Sequence, residues 1–176
     1  MIPAASQTIG PYWHLIHEPD WADLTRFGAH GTPIILTGRI TDGGRAPVTD
    51  AAIELFQPSP ARRENFPGYG RAASDASGQF RFVTLKPEPV PGPAGPRGNA
   101  LQAPHCGLAI LARGLLKPLF TRLYFPDEPL NATDPVLTLI EPPARRATLI
   151  AVRTGPDQFH LDIALQGDAE TVFLEF

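Results

Sequence analysis

The sequence predicts an all-β protein, a β-sandwich made of short strands joined by turns. Short apolar runs alternate with polar residues at a period of two, as half-buried strands do. Turn-forming residues separate these runs, and the 176 residues include 21 prolines and 16 glycines. Helical periodicity is scarce, so we expect helices only as short segments.

Three strands are predicted in the first half of the chain. In PIILTGRIT, the residues Ile34, Leu36 and Ile40 share one face, and an Asp-Gly-Gly turn follows directly. The segment AAIELFQ, residues 51–57, is the expected return strand. After a turn at 75–78, QFRFVTL alternates aromatic and polar residues. Strands at this spacing favour a sandwich.

The second half contains further strand signals. The run APHCGLAILARG at 103–114 is typical of a buried strand that begins near His105 and ends near Arg113. Four apolar residues between 159 and 165 lie on one face of another strand. A Gln-Gly-Asp turn then leads into TVFLEF, which we expect to be the last strand.

Two segments do not fit the strand pattern. Residues 131–140, NATDPVLTLI, place cap residues before Pro135 and apolar residues after it, which predicts a short helix. Residues 86–98, KPEPVPGPAGPRG, hold five prolines and three glycines. They predict a stiff surface loop, because a collagen helix needs many more triplets.

Composition bounds the compartment and the partners. A net charge of −3 and a pI near 5.9 favour neither nucleic acid nor an anionic membrane as a partner. The single cysteine, Cys106, excludes an internal disulfide and indicates a reducing compartment. The first ten residues lack signal-peptide features, and no apolar run is long enough to span a membrane. We expect one cytoplasmic domain over residues 1–176, with an N-terminal arm over about residues 1–30.

No familiar catalytic motif stands out among the histidines and the cysteine. His105 and Cys106 are adjacent on a strand, so their side chains face opposite ways and cannot form a catalytic pair. His105 has the position of a metal ligand, but a lone histidine holds no catalytic metal. The other four are expected to be exposed or structural: His14, His17, His30 and His160.

Arg113 raises a different question. An arginine in an apolar surround needs an anion. It lies eight residues beyond His105, roughly 26 Å along a regular strand. It is therefore too far away to serve a site at His105.

Seven collinear motifs give the chain a resemblance to a known family. They are SQTIGPYW (6–13), ELFQ (54–57), GQFRFVTLKP (78–87), APHCGLAILARG (103–114), TRLYF (121–125), LTLIEPPARRATLIA (137–151) and ALQGDAETVFLEF (164–176). The chain resembles the intradiol ring-cleavage dioxygenases, and among them the alpha-type chains of the protocatechuate-cleaving enzymes. The resemblance implies an intradiol-type β-sandwich and an assembly with iron-bearing beta-type chains.

The resemblance also implies that this chain lacks the metal site. Beta-type chains bind a non-haem ferric ion, Fe(III), through two tyrosines and a His-x-His pair. The matching positions here are Val90, a loosely aligned position near Glu64, and the pair His105 and Gly107. Fe(III) is therefore expected in the partner beta chain, and His105 is expected to be a packing residue.

The same resemblance assigns a substrate role to Arg113. In alpha-type chains the arginine of the Ala-Arg-Gly turn meets the carboxylate of protocatechuate (3,4-dihydroxybenzoate), and the planar guanidinium suits a carboxylate. The arm segment Thr8, Gly10, Pro11 and Tyr12 is implied to line the same interface pocket. We expect Gly10 to permit close backbone approach and Tyr12 to offer a ring wall and a hydroxyl.

Two functions of different classes remain open. The first is an alpha subunit that, with a beta subunit and O2, cleaves protocatechuate to 3-carboxy-cis,cis-muconate. The second is a β-sandwich scaffold that contacts no substrate. For the second, Arg113 would be a surface arginine paired with a local carboxylate. No catalytic residue and no metal ligand is expected in this chain under either hypothesis.

Overall fold

The computed structural model describes residues 8–92 and 100–175. The described strands are β1 (Pro33–Thr41), β2 (Ala52–Phe56), β3 (Tyr69–Ala73), β4 (Gln79–Leu85), β5 (Val90–Pro91), β6 (Leu101–Gln102), β7 (His105–Leu111), β8 (Leu119–Tyr124), β9 (Val152–Gly155) and β10 (Gln158–Ala164). The described helical segments are 3-10 turns at Trp13–Ile16, Pro19–Ala22, Pro129–Ala132, Leu137–Leu139 and Pro143–Leu149.

The larger strands form two four-stranded sheets. The first has the order β4-β1-β10-β9, and the second has the order β3-β2-β7-β8. All neighbours in these sheets are antiparallel except β1 and β10, which pair in parallel at the centre of the first sheet. The short strands β5 and β6 pair separately. The predicted all-β sandwich is confirmed.

The core lies between the two sheets and follows from the alternation of side chains along each strand. In β1, residues Ile34, Leu36 and Ile40 are buried, as the sequence pattern predicts. One continuous buried cluster contains side chains from both sheets, including Phe80, Phe82, Phe159, Leu161, Ile53, Leu55, Cys106, Leu108 and Leu123. Such a shared apolar layer excludes water from both inner faces and holds the sheets together.

A second, smaller cluster covers part of the outer face of the second sheet. It joins Ala103 and Tyr124 to Leu137, Ile140 and Leu149. The helix predicted over 131–140 is replaced here by separate 3-10 turns. Pro135 has no N–H to donate, and the buried carboxylate of Asp134 takes the N–H groups of Val136 and Leu137. These bonds fix a tight turn in place of a regular helix.

The expected last strand, TVFLEF, is wrong for its described residues, 171–175. Its backbone bonds are irregular: Thr171 and Leu174 N–H donate to backbone carbonyls of Ala164 and Phe120, whereas Val172 bonds to the side-chain hydroxyls of Thr148 and Thr121. A single bridge joins Leu174 to Phe120. The segment therefore lies against β8 without extending the sheet.

The proline-rich segment is described in part. Its first residues reach β5, which pairs with β6. Residues 93–99, which hold most of GPAGPRG, are outside the described residues, as are Ser6 and Gln7 of the SQTIGPYW motif. In the parts of the chain that the structure describes, no helix combines the length and the apolar character that crossing a bilayer requires.

Candidate functional site: two separate cavities

The first cavity is a cleft of about 260 Å³ between the N-terminal arm and the end of β7, here called the Arg113 cleft. Its lining includes Gly10, Pro11, Trp13, Asp50 and Arg113. Gly10 and Arg113 are more than a hundred positions apart in sequence. The fold therefore brings together part of the arm and the arginine that the resemblance singled out.

Arg113 lies in the turn that follows β7. Leu115 N–H donates to Ala112 C=O at 3.2 Å, and Gly114 takes a positive φ of 87°, which suits glycine. The expectation that Arg113 lies in apolar surroundings is wrong. Its side chain is 63% exposed, and its Nε donates to the Asp50 carboxylate. The guanidinium therefore lies beyond the end of β7 and pairs with a carboxylate of this chain.

That ion pair leaves part of the guanidinium available. Asp50 is hydrogen-bonded to Nε, and the two Nη groups have no hydrogen-bond partner among residues 8–92 and 100–175. A guanidinium offers five N–H donors in a planar fork. A second carboxylate could therefore bind at the Nη end while Asp50 holds Nε.

Two hydrogen bonds fasten the arm beside the cleft, one to the turn after β7 and one to Asp50 before β2. The Thr8 hydroxyl donates to Ala112 C=O at 3.3 Å, next to Arg113. The Trp13 indole N–H donates to Asp50 C=O, also at 3.3 Å. Thr8 thus lies beside the cleft, and Asp50 contacts both the arm and the arginine.

Two arm residues differ from their expected roles within this chain. Gly10 has a positive φ of 75°, and a Cβ there would meet nothing within 4 Å. Here the backbone conformation, and not close packing, favours glycine. Tyr12 is 74% exposed and is not among the residues that line the cleft. A ring-wall role for Tyr12 would need a surface outside this chain.

Asp50 was missed by the sequence reasoning. It is one acid in a Thr-Asp turn before β2, and nothing in its neighbourhood marks it as special. The only available signal is that an exposed cation at a strand end often has an acidic neighbour in space. Sequence spacing does not reveal which acid that is.

The second cavity is larger, about 990 Å³, and lies on the outer face of the second sheet. We call it the β7–β8 cavity. Val90, His105 and Gly107 all line it. These are three of the positions that the sequence resemblance matches to iron ligands of beta-type chains, and the fold brings them to one cavity. The loosely matched Glu64 does not line the cavity, whereas Arg62 does.

The side chains at these positions do not fit a ferric ion. Valine and glycine have no donor atom, and His105 offers a single nitrogen. Tyr69 also lines the cavity, but its hydroxyl donates to Glu54 at 2.9 Å, and burial, with that bond second, raises the pKa of Tyr69. The raised pKa favours the protonated phenol of Tyr69, whereas an iron ligand would have to be the deprotonated tyrosinate. One histidine and a protonated phenol do not make a ferric site.

His105 packs as a neutral ring. Its Nδ1 donates to Ala103 C=O at 2.8 Å, and its ring lies 5.5 Å from the Tyr124 ring. Burial is the main cause that lowers its pKa, and the nearby Arg122 charge adds to the effect. Cys106 lies on the opposite face in the core, as strand alternation requires, and burial raises the pKa of its thiol to about 12. The two residues do not form a pair.

The expected exposure of His17 is wrong. His17 lies edge-on between Trp13 and Trp21, with ring centroids 5.4 and 6.0 Å away. Burial, and then the charge of Arg71, lowers its pKa. By contrast, His14 and His30 are exposed, and His160 bonds to the Thr37 hydroxyl at 2.9 Å.

Comparison with known proteins places this geometry in a family. Hydroxyquinol 1,2-dioxygenase from Pseudomonas putida DLL-E4 shares the fold, with a TM-score of 0.64 and 22% identity over 91% of this chain and 66% of that one. A family model described as "Dioxygenase" matches residues 10–159. The chain belongs to this family, the intradiol ring-cleaving dioxygenases.

Two relatives are more specific. The protocatechuate 3,4-dioxygenase alpha chain of Pseudomonas putida is 37% identical over 195 residues, covering 97% of this chain and 95% of that one. The protocatechuate 3,4-dioxygenase beta chain of Burkholderia cepacia is 34% identical over 152 residues, covering 79% of this chain and 61% of that one. The similarity to the alpha chain extends over nearly the whole length of both proteins.

Proposed function

We propose that this chain is the alpha subunit of a protocatechuate 3,4-dioxygenase and supplies the carboxylate-binding side of a pocket shared with a beta subunit. The observation that carries the proposal is the Arg113 cleft, in which arm residues Gly10 and Pro11 meet a partly unpaired guanidinium. Full-length similarity to an alpha chain of that enzyme supports it.

The small volume of the cleft fits a shared pocket. Ligand pockets that enclose a small molecule usually measure about 300–1,000 Å³. At about 260 Å³ the Arg113 cleft falls below that range, so a substrate held there would extend beyond this chain. The exposed Tyr12 is then available to contact either the partner or the substrate.

The roles of the residues follow from charge and geometry. Protocatechuate has two adjacent hydroxyls and a carboxylate at the far end of its ring. The Nη edge of Arg113 binds that carboxylate while Asp50 fixes the guanidinium through Nε. The arm, held by Thr8 and Trp13, forms one side of the cleft. This chain therefore orients the substrate by its acid end, with the diol facing away.

The ring-opening chemistry belongs to the partner in this proposal. The side chains in the β7–β8 cavity do not fit iron, so we assign Fe(III) to the beta subunit. Bound in the beta subunit, Fe(III) would supply the chemistry by which O2 opens the ring between the two hydroxyl-bearing carbons, and the product would be 3-carboxy-cis,cis-muconate. Nucleic acid and membrane have no part in the proposal.

Arg113→Gln in the alpha–beta complex tests the proposal. Loss of a charge-assisted hydrogen bond costs about 1.5–3 kcal/mol, so KM for protocatechuate should rise about ten- to a hundredfold. Steady-state oxygen uptake measures the change. Lys117→Gln is a matched control, since Lys117 lies in the same loop and is also 63% exposed; its KM should stay at the wild-type value.

The scaffold function has one observation in its favour. The Asp50 ion pair already gives Arg113 a local carboxylate partner, as the scaffold hypothesis expects. For a scaffold, Arg113→Gln would leave both KM and assembly unchanged. That result, with the complex intact by size-exclusion chromatography, would overturn the substrate role.

A further inference from the structure

The β7–β8 cavity contains an arginine without an acidic partner. Arg122 on β8 is half-buried, and its Nη1 donates to Gln102 Oε1 at 2.7 Å and to the Tyr124 hydroxyl at 3.1 Å. Among the described residues no carboxylate lies within ion-pair distance of it. The buried carboxylate of Asp134 is linked to Arg122 only through the Tyr124 hydroxyl, which donates to it at 3.2 Å. A half-buried guanidinium with no direct ion pair favours binding of an anion from outside.

The cavity also presents a specific hydrogen-bond acceptor. His105 is 6% exposed and uses Nδ1–H to bond Ala103 C=O. The ring is neutral, so Nε2 carries a lone pair, and among residues 8–92 and 100–175 it has no hydrogen-bond partner. A nine-tenths-buried acceptor on a cavity wall is suited to a ligand O–H donor.

Aromatic and aliphatic surface connects these two polar groups. Phe56 and Tyr69 lie against each other with ring centroids 4.9 Å apart, and Phe120 and Val90 line the same cavity. Phe56 and Phe120 keep 46% and 40% of their surface exposed. Flat apolar walls with a few fixed polar groups are typical of sites for small aromatic ligands.

We propose that the β7–β8 cavity is a second, non-catalytic ligand site that binds a small hydroxylated aromatic acid. The carboxylate pairs with Arg122, the ring packs among Phe56, Tyr69 and Phe120, and the hydroxyl donates to Nε2 of His105. The site uses this chain's residues alone. It therefore does not depend on the proposed function at the Arg113 cleft, and either can fail without the other.

Isothermal titration calorimetry of the full chain without a beta subunit tests the proposal, with 4-hydroxybenzoate, benzoate and sulfate as probes. We expect one 4-hydroxybenzoate per chain, weaker binding of benzoate and no comparable binding of sulfate. Arg122→Gln should weaken 4-hydroxybenzoate binding about ten- to a hundredfold, because a charge-assisted bond is lost. Arg81→Gln is the control. Arg81 is an exposed arginine of the other sheet that does not line this cavity, so its replacement should leave the affinity for 4-hydroxybenzoate unchanged.

A second variant isolates the acceptor. His105→Phe keeps an aromatic ring but removes Nε2, so it should weaken 4-hydroxybenzoate binding and leave benzoate binding nearly unchanged. If Arg122→Gln does not fold, judged by circular dichroism, Arg122→Lys replaces it; Lys keeps the charge but lacks the planar fork, so binding should still weaken.

Three results would overturn the proposal. The first is no heat of binding with millimolar 4-hydroxybenzoate, and the second is sulfate binding as tight as that of 4-hydroxybenzoate. The third is equal loss of benzoate and 4-hydroxybenzoate binding in His105→Phe, which would show that the histidine only supports the fold.

Discussion

Asp50 links two parts of the Arg113 cleft that are far apart in sequence. Its carboxylate accepts from Arg113 Nε, and its backbone carbonyl accepts from the Trp13 indole. The first bond orients the guanidinium, and the second holds the arm beside it. Asp50 therefore helps to set the relative position of the cation and the arm, together with the bond from Thr8 to Ala112 C=O.

Asp50→Asn should separate orientation from charge. The pair with Arg113 is partly exposed, so its loss should change the free energy of unfolding by less than about 1 kcal/mol. In the alpha–beta complex the KM for protocatechuate should rise about two- to tenfold, because a freed arginine side chain must be ordered on binding. Urea unfolding and oxygen uptake measure the two effects.

A decrease in KM in Asp50→Asn would have a different meaning. If Asp50 competes with the substrate carboxylate for Arg113, removing its charge should lower KM below the wild-type value. That outcome contradicts the orienting role.

At the scale of elements, the parallel pair β1 and β10 depends on a glycine. Gly38 in β1 lies opposite Leu161, and a Cβ at Gly38 would come within 2.6 Å of Leu161 C=O and would also overlap the Phe80 ring. The strand has no room for a side chain at this position. Close approach of the neighbouring backbone explains the glycine.

Gly38→Ala should destabilise the chain by about 1–3 kcal/mol, since backbone and a buried ring must both move. Gly107 in β7 is a matched control: a Cβ there finds its nearest atom at 3.6 Å, which is ordinary contact. Gly107→Ala should keep the free energy of unfolding within about 0.5 kcal/mol of wild type. Equal losses in chemical denaturation of the two variants would show that the overlap at Gly38 is relieved at no cost.

The strands that the sequence could predict are those with alternating apolar residues. Alternating apolar residues marked β1, β4 and β10, because each strand buries one face against the shared core. TVFLEF has a comparable composition, yet the backbone groups of Val172 bond to the hydroxyls of Thr121 and Thr148 and not to a neighbouring strand. A strand pattern reports which side chains are buried, and it does not report where the backbone hydrogen bonds go.

At the scale of the whole molecule, one half-buried histidine, His17, and one buried histidine, His105, couple stability to pH. Burial lowers the pKa of both His17 and His105 from the ordinary value of 6.5. The folded chain therefore resists protons that the unfolded chain accepts. The free energy of unfolding should be highest above pH 6.5 and should fall as the pH decreases below it.

Replacing both histidines should reduce this dependence. In the double variant His17→Phe and His105→Phe, the loss of stability between pH 7.5 and pH 5.5 should be smaller than in wild type. Urea unfolding at the two pH values measures it. His14→Gln, at an exposed position, is the control and should behave like wild type. An unchanged loss in the double variant would place the pH dependence in other groups.

The candidate site could be predicted only in part. The family motifs indicated Arg113, Gly10 and Pro11, and the structure brings these three into one cleft. Asp50 and Arg122 were not predicted as site residues, because their partners are set by tertiary contact and not by local sequence. Strand alternation separated His105 from Cys106, but it could not reveal which side of the sheet carries a cavity.

The pairing of β1 with β10 has a consequence for biosynthesis. Thr37 of β1 is in register with His160 of β10. One edge of β1, which is synthesised early, therefore stays unpaired until residues 158–164 have emerged from the ribosome. An open strand edge invites pairing with other nascent chains. Translation that stalls shortly before that point should therefore leave an aggregation-prone product, which makes the late-synthesised strand a safeguard during production of the protein.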